Sequence, residues 1–227
     1  MVKRVRILTI IFDSEIKVWE IPALRGAIVE KVGKENIIFH NHLKTDAYLY
    51  RYPLIQYKNI RGKPAMVCID YGVDEIHKFF DKPDWSVKIG DRWLDMKVYK
   101  LLLNQFNMQV WESMFHYHIR NWVALNQENY KKYQTIESEK ERIEFLERTL
   151  IGNIIAFAKG IEWDIEKQIK LSITSPVRNT VVSLKGKKVL GFNIDFITNV
   201  FLPNYIGLGK SVSLGFGMVK QINKKEN

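Results

Sequence analysis

The 227-residue chain carries 35 Lys and Arg against 25 Asp and Glu, a formal net charge of +10, with 46% hydrophobic and 12% aromatic residues. That apolar fraction can bury a core, which excludes a disordered chain, and the surplus of positive charge points to a polyanionic partner held through counterion release. The single cysteine, Cys68, excludes an internal disulfide and a cysteine-based zinc site, and no apolar run reaches the ~18 residues of a membrane span, so a cytoplasmic protein without membrane association is expected.

In chain order, residues 5–12 are β-branched and apolar on both faces, which suits a central strand. Pro22 stands where a helix can start, and Leu24, Ala27, Ile28 and Val32 form a helical stripe ending at Gly33. A His- and Tyr-rich stretch covers 37–52. Residues 54–60 and 64–69 read as a hairpin turned by Arg61-Gly62-Lys63, and 74–80 as a short helix. This order is most of a βαββαβ unit, with a domain boundary expected near residues 81–84, giving domains 1–82 and 83–227.

The second half repeats the idea with longer pieces. Residues 86–103 and 106–122 alternate in polarity around Asn104-Gln105 and predict a hairpin. Residues 138–160 predict a helix, with Ile143, Leu146, Leu150, Ile154, Phe157 and Ile161 at spacings of three and four and a Ser138–Glu141 capping box at its start. Strands are expected within 165–174, 180–184, 188–200 and 218–222. Arg178, Lys185, Lys187 and Lys188 read as a basic cluster around the turn at Gly186, suited to gripping RNA phosphates.

The sharpest motif is Gly207-Leu208-Gly209-Lys210-Ser211-Val212-Ser213-Leu214-Gly215-Phe216-Gly217. Four glycines lack the Cβ that would hold a phosphodiester away, and Lys210, Ser211 and Ser213 add a charge and two hydroxyls. A nucleotide P-loop is excluded because Asn204 stands where its first glycine belongs and a strand-like Val-Ser-Leu-Gly follows where a helix is required.

The spacing Gly-Leu-Gly, five residues, Gly-Phe-Gly resembles the signature loop of the RAMP superfamily of CRISPR-associated proteins. Leu24-Arg25-Gly26-Ala27-Ile28, Phe39-His40-Asn41-His42, Tyr52-Pro53-Leu54-Ile55-Gln56-Tyr57-Lys58 and residues 199–211 are similar to the sixth Cas family, the endoribonucleases that cut precursor CRISPR RNA within each repeat. The resemblance implies an α+β fold of two tandem ferredoxin-like (βαββαβ, RRM-like) domains, CRISPR repeat RNA as partner with other effector subunits beside it, a monomer or homodimer, and no cofactor.

Cleavage of that kind is attack of a ribose 2′-OH on the neighbouring phosphate. It needs a base, an acid and positive charge for the phosphorane, and histidine can do either proton job near neutral pH. His40 and His42 stand two apart after the first helix, where the family often carries its catalytic histidine, with Lys44 and Tyr48 as candidates for assisting roles. His116 and His118 form a rival pair, also readable as one polar face of a strand, and His77 reads as structural. Neither pair carries a carboxylate at the spacing of a metal hydrolase, so no metal is expected. Arg25, Arg51, Lys58, Lys185, Lys187 and the loop residues Gly207, Gly209, Lys210, Ser211, Gly215 and Gly217 are the expected RNA contacts. A RAMP protein that holds guide RNA without cutting it, or a general single-strand binder, shares all of these features except the need for the histidines.

Overall fold

The computed structural model describes residues 2–40, 52–184 and 186–222. The chain divides into two compact units. An N-terminal unit spans Arg4–Asn107 together with Ser213–Gly215, and a C-terminal unit holds Met108–Val212 and the segment from Phe216 onward. The division falls at Asn107/Met108, beyond the 81–84 stretch where the sequence suggests a boundary.

In the N-terminal unit, β1 (Lys3–Phe12) is the buried strand that its β-branched run requires, with Val5, Ile10 and Phe12 fully buried. Helix α1 (Ile21–Val32) starts with Pro22 in its first turn, where the missing N–H costs nothing, and stops at Gly33, whose φ of 101° no other residue adopts readily. It buries Ile21, Leu24, Ile28, Val29 and Val32. Strands β2 (Ile55–Ile60) and β3 (Lys63–Ile69) form the expected hairpin, because Arg61 and Gly62 both take positive φ, 54° and 84°, as a two-residue turn demands. The short helix is broken in two, α2 (Tyr71–Glu75) and α3 (His77–Phe80). A small hairpin of β4 (Val87–Ile89) and β5 (Arg92–Leu94) precedes β6 (Val98–Met108). The sheet order β2-β3-β1-β6 is that of a ferredoxin-like unit, with α1, α2 and α3 on one side.

The hairpin expected around Asn104-Gln105 does not exist. Both residues lie inside β6, and the strand is interrupted only at Gln109 before β7 (Val110–Trp122) begins. β6 pairs in the N-terminal sheet and β7 in the C-terminal one, so two consecutive strands that alternate alike belong to different sheets.

The C-terminal unit continues with α4 (Gln127–Thr135), α5 (Glu139–Gly160), β8 (Leu171–Ile173), β9 (Arg178–Leu184), β10 (Lys187–Val200) and β11 (Met218–Gln221). The Ser138 hydroxyl accepts from Glu141 N as the capping box requires, and Leu146, Leu150, Ile154 and Phe157 are buried on the predicted face of α5. Each such burial contributes about 1.5–3 kcal/mol. The order β11-β7-β10-β8, with β9 also on β10, repeats the ferredoxin-like pattern. Where a second helix would run between β10 and β11, the chain instead makes the glycine-rich segment, with a single 3-10 turn at Val212–Leu214.

Candidate functional site

His40 ends the segment that leaves α1. Gly33 N donates to Val29 O at 3.0 Å and closes the helix, and Asn36 Nδ2 caps the Val32 carbonyl at 2.8 Å. A 3-10 turn, Ile37–Phe39, then plants Phe39 in the core and stops at His40. Three donors fix this turn: His40 N bonds Ile37 O at 3.0 Å, the buried Tyr57 hydroxyl bonds Phe39 O at 3.1 Å, and the Arg25 guanidinium donates to the His40 carbonyl. The half-buried imidazole is fixed as well, with Nε2 2.8 Å from the Lys34 carbonyl. A carbonyl only accepts, so Nε2 carries the hydrogen in this arrangement and the neutral ring keeps its lone pair on Nδ1, the nitrogen able to take a proton. Arg25, expected to touch RNA, therefore also holds the backbone under His40. His42, Lys44, Tyr48 and Arg51 lie outside the described residues.

Lys58, grouped with the RNA contacts for its place beside Tyr57, is fully buried. Strand alternation accounts for it: Ile55 and Tyr57 pack into the core beneath α1, while Gln56 and Lys58 point to the opposite face, which is closed as well. Burial pushes the Lys58 ammonium down to about 7, so it is not a standing surface cation. Burial likewise pushes the Cys68 thiol upward, leaving an inert, packed side chain.

Three glycines of the glycine-rich loop stand close to neighbouring atoms of the protein. A Cβ on Gly209 would stand 2.7 Å from Cδ1 and Nε1 of Trp122, and one on Gly217 only 1.8 Å from the Leu208 carbonyl oxygen. Gly215, at φ 89°, would bring a Cβ to 3.4 Å from the Tyr57 carbonyl oxygen. The missing side chains thus let the loop pack against the protein. Three of its amides are spent the same way, since Leu208 N bonds Gly217 O, Lys210 N bonds Val123 O and Gly217 N bonds Asn121 O at 2.9, 2.9 and 3.0 Å. Leu208 is fully buried and Gly207 bridges to Met218 across the loop base. For a ligand the loop offers side-chain chemistry as well, with Lys210 exposed beside Lys131, Asn126, Gln127 and Glu128 in one groove, and Ser211 held half-exposed at φ 56°.

Lys187 is exposed at the start of β10, whereas Lys185 lies outside the described residues. Arg178 does not share their turn. It pairs with Asn193 while Lys187 pairs with Leu184, six ladder steps away, about 20 Å at strand rise. His77 is exposed, with Nδ1 2.6 Å from Asp74 O, and His116 and His118 lie on the polar face of β7. Among the described residues no group of three or more His, Cys, Asp or Glu side chains could hold a metal ion, and no helix is long and apolar enough to cross a membrane.

Residues 3–107 match the Cas6b N-terminal domain and residues 109–222 the Cas6b C-terminal domain. The chain belongs to the Cas6b family. The junction between the two matches coincides with the Asn107/Met108 division of the fold. A solved structure titled as Cas6b is 29% identical, covering 97% of this chain and 100% of that one with a TM-score of 0.88. Another, titled as the CRISPR RNA processing endoribonuclease Cas6b, is 25% identical over 97% and 100% of the two chains, with a TM-score of 0.75. An uncharacterised protein of Methanocaldococcus jannaschii is 36% identical over 114 residues, 50% of this chain and 76% of that protein.

Proposed function

We propose that this Cas6b-family chain is an endoribonuclease that binds CRISPR repeat RNA and cuts the precursor transcript within each repeat, without metal. The 2′-oxygen attacks the adjacent phosphorus while the P–O5′ bond breaks, leaving a 2′,3′-cyclic phosphate and a 5′-OH. The 2′-OH proton passes to a base and an acid supplies the O5′ proton, so atoms balance with no co-reactant. The observation that supports this reading is His40, half-exposed at the end of the segment that follows the first helix, with its backbone gripped by Arg25 and its ring oriented by Lys34 O so that Nδ1 bears the lone pair. His40 serves as base or acid and His42 as its counterpart. Lys44 and Tyr48 assist, and Lys210, Ser211 and Lys187 contact the RNA.

General acid–base catalysis contributes ~10²–10⁴-fold, so His40→Ala should lower the single-turnover rate on repeat RNA by about that factor while binding stays near that of the unaltered protein. A variant that cuts at the unaltered rate removes His40 from the mechanism. Tight binding of repeat RNA with no cutting by the unaltered protein would instead favour a guide-RNA-holding subunit.

A further inference from the structure

We propose that the outward face of the C-terminal sheet carries a second RNA-binding surface, in which Lys220 and Arg120, flanking His118, hold backbone phosphates. The inference rests on the functional reading above for the identity of the ligand. The strand registers bring the residues together. On β7, His118 lies opposite Asp195 of β10 on one side and opposite Lys220 of β11 on the other, and Arg120 lies opposite Met218. Directly opposed residues on one face have Cβ atoms about 4.5–5.5 Å apart. Alternation decides which face they occupy. Tyr117, Ile119, Phe196 and Val219 are fully buried and Ile194 is nearly so, so their neighbours His118, Arg120, Asp195 and Lys220 project the other way.

His118 Nδ1 lies 2.6 Å from Asp195 Oδ1. A carboxylate accepts, so Nδ1 bears the hydrogen and Nε2 is left as an acceptor, suited to a ribose hydroxyl rather than to a phosphate. Asp195 is itself held, its N–H donating to the Ser175 hydroxyl at 2.8 Å and its carbonyl accepting from Thr174 N at 2.9 Å. The ring orientation is thus built in. The flanking cations differ from many elsewhere in the chain. Arg6, Lys31, Lys63, Lys78, Arg92 and Lys132 each pair with a carboxylate, whereas exposed Arg120 and Lys220 have no ion-pair partner among the described residues. Arg120 and Lys220 are diagonal neighbours across the β7–β11 pair, about 7–8 Å apart, a spacing suited to successive phosphates of an extended single strand. A role limited to pinning β7 to β10 explains the His118–Asp195 pair and leaves the two cations without a purpose.

The test is the Arg120→Gln/Lys220→Gln double variant. Both side chains are exposed, and the fold is checked by circular dichroism. Fluorescence anisotropy with labelled repeat RNA across a salt series should show Kd raised about tenfold at physiological salt and the salt slope reduced by about 1.4, two single-strand phosphate contacts. The rate at saturating RNA should not change. An unchanged Kd and slope in the folded variant overturns the surface, as does a raised Kd with an unchanged slope. Unaltered protein that neither binds nor cuts repeat RNA sinks the functional reading and this surface together. Binding and cutting by the unaltered protein, matched by a double variant of equal affinity, sinks this surface alone.

Discussion

Replacing Gly217 by alanine places a Cβ 1.8 Å from the Leu208 carbonyl oxygen and 2.9 Å from its carbon, at a residue whose φ is 61°. Left-handed backbone costs a non-glycine residue about 1–2 kcal/mol. The contact cannot be relieved by rotating a side chain, because the obstacle is backbone, so the loop strands must part by more than an ångström. Parting them loses the Leu208 N–Gly217 O and Gly217 N–Asn121 O bonds, each worth about 1 kcal/mol net. Together with overpacking of about 1–3 kcal/mol, the loss is on the order of 4–7 kcal/mol, comparable to a whole domain's stability. Gly62→Ala is the internal control, since its added Cβ meets nothing within 4 Å and only the φ of 84° opposes it, a cost of about 1–2 kcal/mol. Urea unfolding followed by circular dichroism compares the two. A Gly217→Ala protein with a midpoint equal to that of Gly62→Ala, and with RNA affinity selectively lost, would refute the packing role and favour direct phosphate approach to the glycine.

Two further outcomes follow from the site. Arg25→Met removes the donor to the His40 carbonyl while keeping most of the side-chain volume, so the single-turnover rate should fall about 10- to 100-fold, as expected of a displaced catalytic group, with little change in RNA affinity; an affinity loss without a rate loss would make Arg25 an RNA contact alone. Lys58 has its protonation depressed to about 7 against an ordinary 10.5, so the folded state binds fewer protons than the unfolded chain between those values and stability rises with pH across that window. The stability advantage of Lys58→Met should therefore be largest at pH 7 or below and shrink toward pH 10, by up to about 5 kcal/mol; a difference that stays flat over that range contradicts the buried-lysine account.

The sequence pattern predicts the order of elements well where local chemistry and packing agree. The run 5–12, the Arg61-Gly62 turn and the stripe from Leu146 to Phe157 each carry their own period and their own boundary signal, and each appears as expected. Helix α4 is absent from that reading because it buries no residue and so has no apolar stripe, only the Asn126 side chain accepting from Asn129 N at 2.6 Å. The break at Gln109 is equally silent. Alternation runs through both β6 and β7, and only the choice of different sheet partners separates them. The glycine loop illustrates a different limit: its spacing resembles a superfamily signature, but whether the vacated Cβ space faces a ligand or Trp122 is decided by tertiary packing. Lys58 misleads for a related reason, since a strand closed on both faces gives no polar side for a charged residue to mark.

The central claim, metal-independent 2′-OH attack on repeat RNA, is tested most directly by incubating the protein with repeat RNA in excess chelator, with and without a single 2′-deoxy substitution at the scissile nucleotide. The account predicts cutting of the all-ribose strand at an undiminished rate, with a 2′,3′-cyclic phosphate on the upstream fragment, and an intact deoxy strand. Cutting that requires added divalent metal, or that persists in the deoxy strand, would contradict it.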